Sequence, residues 1–428
     1  MSLTLQHALD ALRGLGTLHE LRAAADAGLA PAAPPRVNAH VHLPPNFSAF
    51  GTVAQAVELA AAQHVGVLGA SNYYDFGVYA EFTEQTLRHG IFPLYGLEVI
   101  AMIDDLATAG VKINDPGNPG KIYLCGKGIT GFADPTPEAR RLIELIRRND
   151  NERMTQMAQR LGAILAEHSI NADLSAAAII DAVVRRHGCP RETVCLQERH
   201  LAQAFQEAIF AALNPQDRQQ VLGRMFGAAS KADPADGAKV QNEIRSHLMK
   251  AGKRAFVEET FVNFDQARRL ILELGGIPCY PTLADGASPI CTFEEPVDKL
   301  IASIQEQGIC CAELIPIRNK PDVLVRYATA MRQAGLVIMG GTEHNTLDML
   351  PIEPTCIGLA VPAEIKSLFW EGACVAAAHQ FLTVHGQCGY VDVQGRKNPA
   401  YTSDQQRIEA FSRLGAAVIE KYYRVCNA

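Results

Sequence analysis

The chain has 428 residues, of which 48% are hydrophobic and 20% are charged, and its formal net charge at pH 7 is -7. This composition is too apolar for a disordered chain, and the negative charge argues against a general nucleic-acid surface, which needs clustered Lys and Arg. No apolar run approaches the roughly 20 residues that span a bilayer, and the first residues do not form a basic segment followed by an apolar one. We therefore expect a globular cytoplasmic protein.

The first predicted element is an amphipathic helix over residues 3–29, which a Pro-rich stretch at 31–35 ends. From residue 36 a unit of strand, loop and helix repeats, which predicts a parallel sheet with helices outside it. The strands are predicted at 36–41, 65–70, 92–99, 121–126, 276–280, 309–315 and 336–340. The helices of these units are predicted at 52–63, 77–89, 264–274, 294–307 and 320–334.

Residues 136–250 interrupt the repeat, because their apolar residues recur at helical spacing. We interpret this segment as an insertion within a barrel that spans 36–350, and we expect it to cover the barrel mouth. The remaining parts are a helical N-terminal extension, residues 1–35, and a helical C-terminal extension, residues 351–428. The predicted fold is an α/β protein with a distorted (β/α)7 TIM-like barrel, a large helical insertion and these two extensions.

Two histidines, His40 and His42, stand at the end of the first strand. Alternate strand residues point to the same side, so both imidazoles are expected to face the barrel axis and to hold one divalent cation. Glu98 lies among apolar residues at the end of the third strand, and a buried charge needs a metal, an Arg or a Lys as its partner. After the last barrel strand, two glycines precede Glu343 and His344, which are a candidate ligand or general-base pair.

In this order, the motifs resemble those of the PHP superfamily, named for polymerases and histidinol phosphatases. The resemblance covers roughly residues 36–129 and 255–346. It implies a distorted seven-stranded barrel that binds up to three divalent metals, and it implies hydrolysis of phosphoesters. His40 and His42 match the opening His-x-His motif of the family, and Glu98 matches its glutamate after the third strand.

Other ligand positions of the family hold different residues in this sequence. Asn72 and Tyr73 stand where the second motif has Asp and His, and Leu124 stands where the fourth strand has His. Tyr280 replaces the His of an Ala-His-Pro motif. The sequence therefore retains fewer ligands than a three-metal cluster requires.

The closing motif of the family is also altered. Glu343 aligns with its Asp and Asn345 with its final His, so His344 is a candidate substitute. His200 resembles the His of an Arg-Pro-His segment that covers the site in some relatives. The resemblance thus implies one ion, and at most two, of zinc, manganese or iron, with His40, His42, Glu98, Glu343 and His200 as the candidate ligands.

An anionic substrate would need cationic partners, for which the sequence offers Lys127, Arg199 and Arg318. Arg makes bidentate contacts with phosphate or carboxylate, whereas Lys provides a point charge. Tyr73 is a further candidate hydrogen-bond donor to the substrate, and Asn72 is placed in the same substrate site.

Three functions are compatible with these residues. The first is a metal-dependent hydrolase, a phosphoesterase that acts on a small anionic substrate through metal-activated water, with His344, Tyr280 and Glu343 as catalytic candidates. The second is a binding or regulatory protein that kept the barrel and lost hydrolysis. The third is a barrel lyase or isomerase that acts on a sugar acid. No nucleic acid or membrane partner is expected, and a homo-oligomer is left open.

Overall fold

The computed structural model describes residues 4–427. The strands in this part of the chain are β1 (Arg36–Val41), β2 (Val65–Ala70), β3 (Phe92–Met102), β4 (Lys121–Lys127), β5 (Val262–Asn263), β6 (Ile277–Thr282), β7 (Cys311–Leu314), β8 (Val337–Gly340), β9 (Thr355–Cys356) and β10 (Leu359–Ala360). The α-helices are α1 (Leu5–Arg13), α2 (Leu18–Asp26), α3 (Val53–Ala62), α4 (Tyr79–His89), α5 (Asp104–Thr108), α6 (Pro137–Glu167), α7 (Ala176–His187), α8 (Glu198–Ala212), α9 (Pro215–Phe226), α10 (Gly237–Ile244), α11 (Phe264–Glu273), α12 (Val297–Glu306), α13 (Pro321–Gln333), α14 (Ala363–Val384) and α15 (Asp404–Cys426).

Seven strands form a nearly closed barrel in the order β1-β2-β3-β4-β6-β7-β8, and β5 pairs with β3. The segment after β8 returns to β1. There the backbone N–H groups of Thr342 and Glu343 donate to the His40 carbonyl at 3.1 and 2.9 Å, and the His42 N–H donates to the Glu343 carbonyl at 2.8 Å. The predicted α/β barrel is confirmed, and this closure brings the residues after β1 and β8 side by side.

The sheet is not parallel throughout, which corrects the sequence-based expectation. β4 runs antiparallel to both β3 and β6, with Gly96 opposite Lys127 and Met102 opposite Lys121. A parallel crossover needs a dozen or more residues and usually a full helix. The connection from β3 to β4 contains only the short helix α5, so the chain turns back. The amino end of β4 therefore lies beside the carboxyl end of β3.

The N-terminal extension contains two helices where one was predicted. Gly16 adopts φ 136°, a conformation that favours glycine, and separates α1 from α2. The Thr17 side chain then accepts a hydrogen bond from the Glu20 N–H and caps α2. Residue 3, where the predicted helix begins, lies outside the described residues.

Residues 4–427 form two hydrophobic cores. One fills the barrel and its flanking helices, and the other lies among the insertion helices, where Leu161, Phe205 and Leu222 are fully buried. No helix between residues 4 and 427 combines the length and the apolarity needed to cross a bilayer. The separate core means that the insertion can hold its cavity-facing side chains on a rigid body of its own.

The close crossing of α14 and α15 depends on Gly415. A Cβ atom built at this position would lie 1.8 Å from the Cys374 carbonyl oxygen. We expect Gly415→Ala to lower the free energy of unfolding by about 1–3 kcal/mol, because the two helices must separate. Gly162→Ala on α6 is the matched control, since its nearest neighbouring atom is 3.9 Å away and alanine favours helix. Equal urea midpoints for the two variants would contradict this prediction.

Candidate active site

His40, His42 and Glu98 lie together inside the barrel. The Nε2 atoms of His40 and His42 are 3.3 Å apart, and Glu98 Oε2 lies 3.1 Å from His42 Nε2. The side chains are 1%, 0% and 5% exposed, respectively. β1 carries the first histidine and the residue after its end is the second, so the alternation of the strand brings both rings to one side. Within the described residues these three side chains form one of two groups able to hold a metal.

The tautomer of His40 is set by Glu313 on β7, which was not among the candidates predicted from the sequence. Its Oε2 lies 2.7 Å from His40 Nδ1, so this nitrogen carries the proton and donates. The Nε2 of His40 then presents a lone pair toward His42. The signal in the sequence was a glutamate within an apolar strand, the same signal that led to Glu98.

The three side chains fit a divalent ion. Glu98 Oε2 is buried without a hydrogen-bond partner among the described residues, although His42 is close, and two histidine nitrogens face each other. Ligand atoms around a tetrahedral zinc, at about 2.0–2.1 Å from it, are about 3.3 Å from one another. The observed separations of 3.1 and 3.3 Å match this spacing. Three protein ligands leave one position for water or substrate, as in catalytic zinc sites.

Lys127 does not reach the substrate cavity, which corrects its expected role. Its Nζ donates to Glu313 Oε1 at 2.6 Å and to the Ala39 carbonyl at 3.2 Å, and the side chain is 3% exposed. The reason is the direction of β4, whose carboxyl end lies away from the carboxyl ends of its neighbours. A second metal-compatible group consists of His40, Cys125 and Glu313. In this second group, the Lys127 ammonium already neutralises the Glu313 carboxylate.

Glu343 and Arg318 form a bidentate ion pair. Arg318 Nη1 donates to Glu343 Oε1 at 2.8 Å, Arg318 Nη2 contacts Oε2, and Asn345 Nδ2 donates to Oε2 at 2.7 Å. Glu343 and His344 have φ values of 62° and 53°, a left-handed conformation that is uncommon without glycine. Both oxygens of Glu343 are thus engaged, and it belongs to neither ligand group. The structure gives it the role of orienting Arg318 instead of binding the ion.

Tyr73 lies beside two of the candidate ligands, His42 and Glu98. Its ring stacks on His42 with centroids 5.0 Å apart, and the Glu98 carboxylate is close enough to affect its hydroxyl. Burial, together with the charge of Glu98, raises the pKa of Tyr73 well above its usual value. Asn72 has a structural role, because its side-chain amide exchanges two 2.8 Å hydrogen bonds with the backbone of Leu43. Tyr73 lines the cavity described below and Asn72 does not.

His344 and Tyr280 are both committed to other bonds. His344 Nε2 donates to the Leu350 carbonyl at 3.0 Å, so its Nδ1 accepts from the Thr342 hydroxyl at 2.7 Å. The Tyr280 hydroxyl donates to the buried Glu294 at 2.9 Å. Neither side chain lines the cavity. The expected proton-transfer roles therefore have no free nitrogen or hydroxyl to support them.

His200 also lies apart from the ligands. It is the third residue of α8, its Nδ1 accepts from the Gln197 N–H at 3.1 Å, and its ring packs against Phe47. Burial lowers the pKa of His200 to about 3, so the ring is neutral. It is in neither group of metal-compatible residues. Its Nε2 has no hydrogen-bond partner among residues 4–427.

A cavity of about 520 Å³ lies between the barrel and the insertion, a size typical of small-molecule sites. The barrel contributes Glu98, Tyr73, Arg318 and Glu343, and the amino end of β4 contributes Lys121 and Tyr123. The insertion contributes Asp150, Arg153, Glu198, Arg199, Arg245 and Lys250. Of the three predicted substrate cations, Arg199 and Arg318 thus face this cavity.

Asp150, which lines the cavity, makes the stability of the folded protein depend on pH. Burial raises its pKa from 3.8 to about 7, against the attraction of Arg153 and Lys121. The folded chain therefore binds this proton more tightly than the unfolded chain, and stability is lost as pH rises from about 4 through about 7. We expect Asp150→Asn to raise the free energy of unfolding by about 2 kcal/mol at pH 8 and by little at pH 4.5. The value at pH 8 is smaller than the full pKa shift implies, because solvent in the cavity screens the Asp150 charge.

Urea unfolding across this pH range measures the effect. Glu144→Gln, on the exposed face of the same helix α6, is the control and should show no pH-dependent difference. A gain from Asp150→Asn that is the same at every pH would show that the carboxyl does not titrate as stated.

No family model and no curated protein matches this sequence. Among solved structures, an amidohydrolase from Chromobacterium violaceum, with bound sulfate and no metal, is 18% identical with a TM-score of 0.49, over 78% of this chain and 96% of that one. A protein from Bifidobacterium adolescentis described as a metal-dependent phosphoesterase is 15% identical with a TM-score of 0.49, over 78% of this chain and 95% of that one. At such distant similarity, the candidate site rests on the geometry of this chain.

Proposed function

We propose that this protein is a hydrolase that uses one divalent metal ion and acts on a small phosphate ester. The observation that carries the proposal is the convergence of His40, His42 and Glu98 beside a cavity lined with arginines. The nitrogen and oxygen ligands suit zinc, manganese or iron. When bound, the ion would lower the pKa of a coordinated water toward neutrality and polarise a phosphoryl oxygen.

The proposal of a single ion is supported by the chain of contacts behind His40. Glu313 accepts from His40 with one oxygen and from Lys127 with the other, so it has no free oxygen for a second ion. This arrangement fixes the ring orientation and the tautomer of His40, which is what carboxylates behind metal-bound histidines do.

Substrate binding is assigned to Arg318 and Arg199, two of the four arginines that line the cavity in the described part of the chain. Guanidinium groups donate paired hydrogen bonds to phosphate oxygens. Arg318 is held in place by Glu343, which in turn accepts from Asn345. Arg199 has no ion-pair partner within the described part of the chain, so its donors are available to a ligand. Tyr73 supports the site by holding Glu98 and His42 in their positions.

Metal analysis and a phosphate-release assay test the proposal. We expect purified protein to hold about one ion per chain, or the chelator-treated protein to take up one of zinc, manganese or iron(II) on titration. Phosphate release from p-nitrophenyl phosphate and a panel of natural phosphomonoesters should then depend on that ion. Protein that takes up no ion would refute the proposal in favour of a binding protein. An ion without phosphate release, but with turnover of sugar acids, would favour the lyase or isomerase.

A further inference from the structure

The insertion side of the cavity carries more positive charge than its own carboxylates neutralise. In the part of the chain that the structure describes, the cationic side chains that line the cavity are Lys121, Arg153, Arg199, Arg245, Lys250 and Arg318. The lining carboxylates are Glu98, Asp115, Asp150, Glu198 and Glu343. Glu98 is assigned to the ion, and burial raises the pKa of Asp150 to about 7, so Asp150 is only partly ionised near neutral pH. The cavity is therefore electropositive.

Four of these cations have close partners. Lys121 lies 3.1 Å from Glu259, and Arg318 is paired with Glu343. Arg153 and Lys250 lie 2.7 and 2.9 Å from the two oxygens of Glu198. Glu198 and Glu343, two of the lining carboxylates, therefore already have cationic partners.

Arg245 and Arg199 are the exceptions within residues 4–427. Arg245 reaches Glu198 only at 3.7 Å, which is too long for a hydrogen bond, and its buried Nε has no partner. Arg199 makes no ion pair at all in this part of the chain. Burial and then the charge of Arg245 lower the pKa of Arg199 to about 10. Two guanidinium groups that repel each other in a partly desolvated cavity are costly unless an anion joins them.

Arg199 lines the same cavity as Arg245, Glu343 and Arg318. The charges that act on it are those of Arg245 on the insertion side, and of Glu343 and Arg318 on the barrel side. Arg245, the residue after α10, belongs to the insertion, whereas Arg318 follows β7 of the barrel.

We propose that Arg245, together with Arg199, forms a second anion subsite, which takes an oxyacid group of the substrate other than the group that reacts at the metal. This inference rests on the proposed function and narrows its substrate class to small molecules with two anionic groups. The barrel end binds the reacting group, and the insertion selects for the second charge.

Binding of a matched pair of phosphonates tests the subsite without turnover, because their carbon–phosphorus bonds are not hydrolysed. The probes are butylphosphonate, with one anionic group, and butane-1,4-diphosphonate, with two, titrated calorimetrically into manganese-treated and chelator-treated protein. We expect the diphosphonate to bind about 10–100-fold more tightly, as for one charge-assisted contact pair. Arg245→Gln should reduce that ratio to below about threefold while changing butylphosphonate binding by less than about twofold.

Arg224→Gln, an exposed arginine on the insertion helix α9, is the control and should leave the ratio unchanged. Arg245→Lys keeps the positive charge and should keep at least about a third of the preference for the diphosphonate. This variant separates loss of the charge from a folding defect caused by replacing Arg245. Equal binding of the two probes by the wild-type protein, binding of neither, or an equal loss of both in Arg245→Gln would overturn the subsite. A preference for the diphosphonate in a protein that releases no phosphate would support the subsite and refute the hydrolase, so the two proposals fail separately.

Discussion

Asparagine in place of His42 is expected to remove the bound ion and to lower ion-dependent hydrolysis by on the order of a thousandfold. His42 Nε2 lies 3.3 Å from His40 Nε2 and 3.1 Å from Glu98 Oε2, the other two candidate ligand atoms. Loss of a group that only supports a ligand costs about 10–100-fold in affinity or activity, so loss of the ligand itself should cost more. The measurements are ions bound per chain by elemental analysis and kcat/KM for phosphate release.

The control for this prediction is His89→Asn, at the exposed end of α4, which should bind the ion as the wild-type protein does. Unfolding of both variants in chelator separates a folding defect from a binding defect, because the stacking of His42 on Tyr73 is lost as well. If His42→Asn bound the ion with wild-type affinity, the assignment of the metal centre would be wrong.

The strands and the grouping of His40, His42 and Glu98 could be predicted because their signals are local. Apolar runs of strand length, the alternation that places His40 and His42 on one face, and the need of buried Glu98 for a partner are each contained in a few neighbouring residues. The helices between β4 and β5 could be predicted for the same reason, since their apolar residues follow the helical period over a long stretch.

The direction of β4 was not predicted, because an apolar strand has the same pattern in both directions. The signal was the connection from β3, which is long enough for a crossover helix but is rich in Gly and Pro and so disfavours one. That one error moved Lys127 to the wrong end of the barrel. It also concealed Lys121, which lines the cavity.

The partners of the charged residues were not predicted either, since they are distant in the sequence. Glu313 meets His40 across the barrel, and Arg318 meets Glu343 only because the chain after β8 returns to β1. The rule that a buried charge needs a partner identified Glu98, and it applies equally to Glu313. This rule predicts that a buried charge has a partner, but only the folded structure shows which residue the partner is.

Methionine in place of Lys127 is expected to lower the free energy of unfolding of the metal-free protein by about 3–5 kcal/mol, because it leaves the Glu313 carboxylate buried without a counter-charge. Glu313 is fully buried, and Lys127 Nζ is 2.6 Å from its Oε1. Urea unfolding in chelator measures this loss. If Lys127→Met unfolded at the same urea concentration as the wild-type protein, the Lys127–Glu313 pair would not contribute this stability.

Two double variants then separate the charge of Glu313 from its hydrogen bond to His40. Lys127→Met with Glu313→Gln removes both charges and keeps a side-chain oxygen for His40 Nδ1, whereas Lys127→Met with Glu313→Leu removes that acceptor. Both should recover much of the lost stability, since neutral replacements of a buried pair are often tolerated. Only the leucine variant should bind zinc about 10–100-fold more weakly, because His40 is then free to turn and to change tautomer. Equal zinc affinities for the two double variants would mean that Glu313 does not orient the first ligand.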